Sequence, residues 1–300
     1  YLKVTDLDPG FAAAWAALSQ SYITHASMGL MPYVDGYTQA KRAAVKALTI
    51  DEKNAVAIAT LGSIAVYEND LAAAAAYLEE AQFLDPSNPE VIIRIAQFLR
   101  VLGRWEKSVL LCEYLVSVDP VNARQHYSLG YHYMNAGRLD DAEATFHTAF
   151  RLSPSAEGAN FIIGKTLLLK GEAERSLDQM KQESREPWMM LGLALTYYAL
   201  DQVSRSDDAL NYLIKNYPKW AYQIAYAFAY RQESDKAFEW LEQAVTIRDP
   251  GLNGIAGDVM FTRIHSDSRW EPFLKSIGKS SADLNSIEFK VPLPQRSDSR

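Results

Sequence analysis

The stretch that decides the fold is residues 123–154, ARQHYSLGYHYMNAGRLDDAEATFHTAFRLSP. Its apolar residues recur at helical spacing on both sides of Gly137, which predicts two helices joined by a short turn. Large and small side chains alternate where two packed helices need them, at Leu129, Gly130, Tyr133, Ala142, Phe146 and Ala149. We expect the large residues to fill the space between the helices, while Gly130 and Ala142 let the two backbones approach closely.

The same pattern occurs at a fixed distance in the preceding sequence. Asp51, Asp85, Asp119 and Ser153 each follow an apolar stretch and stand 34 residues apart. Pro86, Pro120 and Pro154 come next in three of these turns, because proline cannot continue one helix but suits the first turn of another. The two earlier copies contain Leu61, Gly62, Ala74, Leu78 and Ala81, and then Ile95, Ala96, Gly103, Ser108 and Cys112.

A 34-residue period carrying these residues resembles the tetratricopeptide repeat. The resemblance implies an all-α fold, a right-handed superhelical α-solenoid of paired helices. Cys112 falls on a large core position of its second helix, so we interpret it as a packing residue and not as a nucleophile. The familiar clamp that binds chaperone C-termini uses Lys and Asn at fixed positions of this family. Val56, Ala59 and Ser63 occupy the equivalent positions here, which argues against that ligand.

The repeats predict how the chain is organised. Residues 1–8 are interpreted as the end of a preceding helix, so that the sequence is a fragment of a longer chain. We expect seven repeats, at residues 9–51, 52–85, 86–119, 120–153, 154–186, 187–217 and 218–249, then a capping element at 250–278 and a tail or linker at 279–300. The first repeat has an apolar loop inserted at residues 28–33, and the sixth, marked by Ala194 and Ala209, has a stretched turn. Asp201 in the sixth repeat and Gln232 in the seventh replace the glycine usual in the turn between the two helices.

Several segments have a narrower resemblance. They include MGLMP at residues 28–32, EPW at 186–188 and SDSRWEPFL at 266–274. Together with the repeats they resemble the C-terminal tetratricopeptide regions of multidomain bacterial signalling proteins. In that group the repeats follow an adenylate or guanylate cyclase domain, a winged-helix DNA-binding domain or a kinase domain. Any such activity would belong to the upstream domain.

Composition argues against several classes of function. The chain has 30 Lys and Arg against 37 Asp and Glu, a net charge of −7, which argues against a nucleic-acid partner. Its five scattered histidines and single cysteine lack metal-ligand spacing, and no nucleophile or phosphate-binding pattern is present. We therefore expect no enzyme activity, cofactor or metal. No stretch is long and apolar enough to span a membrane. A cytoplasmic location is predicted, or a periplasmic one if the parent protein has an upstream membrane span.

The leading functional hypothesis is a protein-interaction scaffold. The first helix of each repeat lines the concave groove of such an array. Its positions off the core stripe are Arg94, Gln97, Arg100, Arg124, Tyr127, Tyr131, Phe161, Lys165, Trp188, Tyr198, Tyr222, Tyr226 and Tyr230. Aromatic, Arg and Gln side chains are typical anchors for a peptide or protein partner. The partner could be an external protein, an upstream domain of the same chain or a second copy. The same aromatic residues could instead pack between repeats or beneath residues 250–278.

Two alternatives stay open. The apolar loop at residues 28–33 could make the array dimerise and so control an upstream domain. A weaker alternative is a small-ligand sensor with a pocket among Trp188, Tyr198 and Tyr222.

Overall fold

The computed structural model describes residues 1–27, 30–154 and 158–292, and every regular element in that part of the chain is helical. The all-α fold predicted from the sequence is therefore confirmed. The chain divides into two compact lobes. Lobe 1 comprises residues 1–115 and 278–300, and lobe 2 comprises residues 116–277.

Lobe 1 contains successive helix pairs and a short C-terminal helix. Its helices are α1 (Leu2–Leu7), α2 (Ala12–Ser27), α3 (Tyr33–Ile50), α4 (Ala55–Tyr67), α5 (Leu71–Leu84), α6 (Pro89–Val101), most of α7 (Trp105–Val118) and, near the C-terminus, α17 (Ser281–Asn285). Helix α2 packs on α3 and α4 on α5. Alanines together with Ile23, Leu61 and Ile64 form a hydrophobic core among α2, α3 and α4.

Lobe 2 continues the same arrangement. Its helices are α8 (Ala123–Asn135), α9 (Leu139–Leu152), α10 (Ala159–Leu169), α11 (Ala173–Lys181), α12 (Glu186–Ala199), α13 (Val203–Asn216), α14 (Ala221–Tyr230), α15 (Ser234–Thr246) and α16 (Trp270–Ser276). Two 3₁₀ helices, Pro250–Gly257 and Val259–Ile264, lie between α15 and α16. We call residues 250–277 the cap. Phe261, Ile264 and Trp270 of the cap are buried in the core of lobe 2.

The turns between repeats share one local design. Asn54, Asn88 and Asn122 each cap the following helix, because their side-chain oxygens accept a hydrogen bond from a backbone N–H of the first turn. The aspartate three residues earlier holds each cap in place. Asp85 accepts from Asn88 at 2.9 Å, for example, and Asp119 accepts from Asn122 at 3.0 Å. These acidic turns fix where one repeat ends and the next begins.

The small residues of the pattern are required by close packing. A Cβ atom on Gly62 would lie 2.8 Å from Leu78 Cγ, and one on Gly130 would lie 2.8 Å from the ring of Phe146. Both distances are shorter than a normal contact, so each glycine lets a large residue of the second helix reach the backbone of the first. The predicted core residue Cys112 is buried on its second helix.

The turn inside the third to seventh repeats has a residue in the left-handed conformation, whether or not it is glycine. Gly103, Gly137 and Gly171 have φ of 70°, 77° and 83°, while Asp201 and Gln232 have φ of 57° and 60°. The departure from glycine therefore leaves the turn geometry unchanged.

The stretched turn predicted for the sixth repeat is wrong. Ser206, and not Ala209, is the small residue that faces the first helix, and its hydroxyl donates to the Ala194 carbonyl at 2.6 Å. Ser108 and Ser176 make the equivalent bond to Ala96 and Gly164, in each case across 12 residues. The spacing of the sixth repeat is thus the regular one. Sequence reasoning missed it because Ala209, three residues later, is also small and buried.

The structure also differs from the tail or linker predicted at residues 279–300. Ser280 and Asp283 form a capping box that starts α17. Residues 287–292, which we call the strap, then extend along helices α5 and α6 of lobe 1. The buried ring of Phe289 holds the strap against α6, which accounts for the difference. Residues 293–300 of the predicted tail lie outside the described part of the chain.

Candidate functional site

In lobe 1 one of the predicted groove residues, Arg94, lies near a pair of tyrosines. Arg94 is buried and donates from Nη1 to Gln97 Oε1 at 3.2 Å, while Arg100 is half-buried one turn further along α6. The rings of Tyr37 and Tyr67 stack with centroids 3.9 Å apart. Burial raises the pKa of Tyr37 to about 12, and the positive charge of Arg94 acts in the opposite direction. Tyr37 lies on a second helix, so a count of first-helix positions could not find it.

In lobe 2 the first predicted residues remain accessible. Arg124 is exposed, and the side chain of Tyr127 is 41% exposed. One face of the Tyr127 ring packs near Phe146 and Phe150, at centroid distances of 5.7 and 6.3 Å. Tyr127 therefore contributes to packing within its own repeat and still offers a surface to a partner.

Four residues from separate elements converge further along lobe 2. They are Tyr131 on α8, Lys165 on α10, Tyr226 on α14 and Asp258 between the 3₁₀ helices, and we call them the Lys165–Tyr226 cluster. The Lys165 ammonium lies 5.2 Å from the centre of the Tyr226 ring, and both side chains are buried. Burial raises the pKa of Tyr226 well above 10, and the nearby Asp258 and Tyr131 add to that effect.

The hydrogen bonds of this cluster are incomplete. The Tyr226 hydroxyl is buried and has no hydrogen-bond partner among the described residues. Asp258 does not supply one. Its carboxylate instead accepts from the Tyr222 hydroxyl at 2.8 Å and from the Met260 amide at 3.0 Å. A buried hydroxyl without a partner costs about 1–3 kcal/mol. The cluster thus has an unmet capacity to bind a polar group.

The cap covers the last predicted aromatic residues. Tyr222 is buried with its ring centroid 5.4 Å from that of Phe261. Tyr230 is also buried, because the Arg263 guanidinium lies 4.0 Å above its ring and donates to its carbonyl at 2.8 Å. For these two residues the structure supports packing beneath residues 250–278, the second interpretation of the sequence.

The three residues of the suggested small-ligand pocket lie among different neighbours. Trp188 is between Phe161 and Trp220, each at a centroid distance of 4.7 Å. Tyr198 instead donates from its hydroxyl to the Arg231 carbonyl at 2.9 Å. Tyr222 faces the cap, as described above. Trp220, which extends the aromatic row of Phe161 and Trp188, was not predicted because it precedes α14.

Among the described residues, no three His, Cys, Asp or Glu side chains are placed to hold a metal ion. Within the same part of the chain, no helix has both the length and the hydropathy of a membrane span.

Comparison with known proteins identifies the repeats. The tetratricopeptide repeat family matches residues 60–123 and 127–184. The transcriptional regulator HilA of Salmonella typhimurium is 25% identical over 141 residues, which are 47% of this chain and 25% of that protein. The HilA sequence of Salmonella typhi matches equally well. The chain thus spans about a quarter of the length of these curated relatives.

Solved structures share the fold at low identity. PilF of Pseudomonas aeruginosa has a TM-score of 0.51 and 18% identity, covering 77% of this chain and 97% of its own. The type IV pilus biogenesis factor PilW has a TM-score of 0.56 and 19% identity, covering 69% and 94%. A tetratricopeptide repeat protein of Parabacteroides merdae has a TM-score of 0.55 and 14% identity, covering 81% and 99%. The predicted solenoid of helix pairs is confirmed, and residues 60–123 and 127–184 match the tetratricopeptide repeat family.

Proposed function

We propose that this chain is a non-catalytic scaffold that binds a peptide segment of a partner protein on the first helices of lobe 2. The tetratricopeptide fold supports a role in protein interaction in general. The observation that carries the finer proposal is the buried Tyr226 hydroxyl without a partner, on a ring whose centre lies 5.2 Å from the Lys165 ammonium.

The chemistry of the cluster favours a carboxylate on that peptide. Lys165 carries three N–H donors and Tyr226 one O–H donor, and a carboxylate oxygen accepts from both kinds. Charge-assisted bonds of this kind are about twice as strong as neutral ones. Tyr127 precedes the cluster on α8, and it supplies, together with Tyr131 of the cluster, ring surface for an apolar side chain next to the acidic one. The proposed ligand is therefore a peptide with adjacent acidic and apolar residues.

The test is selection of ligands from a random peptide library on the intact chain. We expect enrichment of acidic residues next to apolar ones, with binding to Lys165→Met weakened at least tenfold. Tyr226→Phe removes only the hydroxyl and should weaken binding by a smaller factor. Lys181→Met is the matched control, because Lys181 is an exposed lysine at the end of α11. Equal binding by the wild type and Lys165→Met would contradict the site.

The regulatory context is also a proposal. The match to the transcriptional regulator HilA supports the view that this chain is the interaction region of a larger bacterial signalling protein. In that view any catalysis or DNA binding belongs to another domain, and the partner is an external protein, an upstream domain or a second copy. A cytoplasmic location follows from the same proposal. Sequencing the gene upstream of Tyr1 tests it, and a parent without any signalling or DNA-binding domain would contradict it.

Self-association is a second candidate, favoured by one observation. Leu30 and Val34, on either side of Pro32, are 67% and 53% exposed. Met28 and Gly29, which belong to the same predicted loop, lie outside the described residues. A contiguous exposed apolar patch is typical of a contact surface, and these two side chains stand four residues apart in the sequence. Light scattering over a range of concentrations tests the idea, and a constant monomer mass would contradict it.

A further inference from the structure

The strap is held to lobe 1 through its main chain. Arg104, in the turn between α6 and α7, donates from Nη2 to the Ile287 carbonyl at 2.6 Å and from Nη1 to the Phe289 carbonyl at 3.1 Å. Glu79 on α5 accepts from the Lys290 amide at 2.8 Å. Gln82, also on α5, donates to the Pro292 carbonyl at 2.9 Å. Four main-chain groups of the strap are therefore bound by three side chains of the repeats.

One side chain of the strap is buried. Phe289 is 5% exposed and meets Phe98 of α6 edge to face, with ring centroids 4.9 Å apart and an interplanar angle of 78°. Glu288 and Lys290 on either side of it are exposed, and Ile287 and Val291 are half-buried. An edge-to-face aromatic pair adds about 0.5–1.5 kcal/mol to the burial of the rings themselves.

Hydrogen bonds to the main chain combined with one buried side chain are typical of peptide recognition. Bonds to the main chain hold an extended segment with little regard to its sequence, and a pocket for one side chain supplies the specificity. A tightly interlocked core would instead bury side chains from most positions of the segment. Alternate residues of the strap face the solvent, so its attachment has the properties of a bound ligand.

We propose that Glu79, Gln82, Phe98 and Arg104 form a binding site for an extended peptide with an aromatic residue at its centre, and that the strap is its intramolecular ligand. The site differs from the first-helix face of lobe 2, since Glu79 and Gln82 lie on a second helix and Arg104 lies in a turn. It also binds main-chain groups where the Lys165–Tyr226 cluster would bind a carboxylate. The two sites can therefore succeed or fail independently.

Attachment to the same chain explains why the site is filled. A tethered ligand has an effective concentration on the order of millimolar, so it excludes a free peptide of similar intrinsic affinity. Weakening the strap alone should open the site without altering it. The residues that bind the strap and the residues of the strap itself can thus be tested separately.

The experiment measures the fluorescence anisotropy of a labelled peptide with the sequence of residues 284–292, LNSIEFKVP, during titration with full-length protein. Phe289→Ala in the protein weakens the strap and should increase the affinity for the peptide about threefold over the wild type, which corresponds to a loss of less than about 1 kcal/mol of strap binding. Arg104→Ala added to Phe289→Ala removes two bonds to the ligand and should abolish that gain. A peptide with Glu288→Ala should bind like the native one, because Glu288 is exposed. A peptide with Phe289→Ala should bind the protein with at least tenfold lower affinity.

Two results would overturn the proposal. One is a folded Phe289→Ala protein that binds the peptide no more tightly than the wild type does. The other is a Phe289→Ala peptide that binds as well as the native peptide. Lys290→Pro keeps the Phe289 ring and removes the N–H that donates to Glu79, so it serves if Phe289→Ala does not fold. It should increase the affinity for the native peptide by a smaller factor, and no increase in a folded Lys290→Pro protein would overturn the proposal equally.

Discussion

The cap and the strap both follow the repeats, and both cover helices of the array, but they are attached in different ways. The cap buries Phe261, Ile264 and Trp270 in the core of lobe 2. The strap buries Phe289 and otherwise depends on bonds to its backbone. Segments with many buried apolar contacts open only with the whole lobe, whereas segments with few open locally. The cap is therefore a structural part of lobe 2, whereas the strap can detach while the lobe stays folded.

The largest expected effect is in the cap. Trp270→Ala should lower the free energy of unfolding by about 3–5 kcal/mol, because the indole is buried and packs on Phe261 at a centroid distance of 5.7 Å. Urea denaturation measures the change. Phe83→Ala is the matched control, since Phe83 is 87% exposed and its loss should change stability by no more than about 0.5 kcal/mol. Similar values for both variants would mean that the cap is not part of the core.

The next effect concerns Lys279, which joins the cap to α17. Its side chain is 2% exposed, its ammonium has no hydrogen-bond partner among the described residues, and burial lowers its pKa to about 8. In the unfolded chain the pKa of a lysine is about 10.4. Below pH 8 the side chain is charged in both states, so the whole cost of burying the charge destabilises the folded state. Lys279→Met should therefore raise the unfolding free energy by about 1–3 kcal/mol at pH 7.

The stability difference between Lys279→Met and the wild type should depend on pH. The penalty on Lys279 decreases as the pH rises from 8 towards 10.4, because the folded protein releases the proton first. The advantage of Lys279→Met over the wild type should thus be smaller at pH 9.5 than at pH 7, as measured by urea denaturation at both values. Lys46→Met, at an exposed position of α3, should show no such change. A constant difference between Lys279→Met and the wild type would argue against a buried charge.

A smaller effect is expected in the turn that supports the cap. Gln232 has φ of 60°, and the residue two before it, Tyr230, accepts a hydrogen bond from Arg263 of the cap. A side chain costs about 1–2 kcal/mol in this conformation, and glycine avoids that cost but loses more entropy on folding. Gln232→Gly should therefore raise the unfolding free energy by about 0.5–1 kcal/mol. A loss of stability in thermal denaturation would show that the Gln232 side chain is needed.

The smallest change in the free energy of unfolding is expected for a substitution in the strap. Phe289→Ala should change the unfolding free energy by less than about 1 kcal/mol, because the strap detaches before the lobe unfolds. Hydrogen exchange should nevertheless lose the protection of the Lys290 amide, which donates to Glu79. A loss of about 3–5 kcal/mol, as for an ordinary core phenylalanine, would make the strap equivalent to the cap.

Much of the fold could be predicted because its restraints recur. Gly62 and Gly130 occupy the same position of their repeats, and each is required by a large residue opposite. The prediction failed where two residues met the same description, as Ser206 and Ala209 do in the sixth repeat. A periodic pattern shows that a small residue is needed, but it cannot choose between two buried small residues three positions apart.

The candidate sites were harder to predict, for a different reason. Lys165 and Tyr226 lie on first helices, where the repeat pattern places them on one face. Asp258 lies in the cap, which has no repeat, and only the folded chain brings it to Tyr226. The site for the strap was missed entirely, because Arg104 and Gln82 bind carbonyl groups, and every residue in a sequence has one.

The strap also bears on where the protein can be shortened. The capping element predicted from the sequence ends at residue 278, which makes that position the obvious place to stop an expressed fragment. A fragment ending there would leave the face of Phe98 that meets Phe289 open to water. It would also leave Arg104 without the two carbonyl groups to which it now donates. Uncovered aromatic surface of this kind promotes association between copies, so dimers seen with such a fragment would be a product of its boundary.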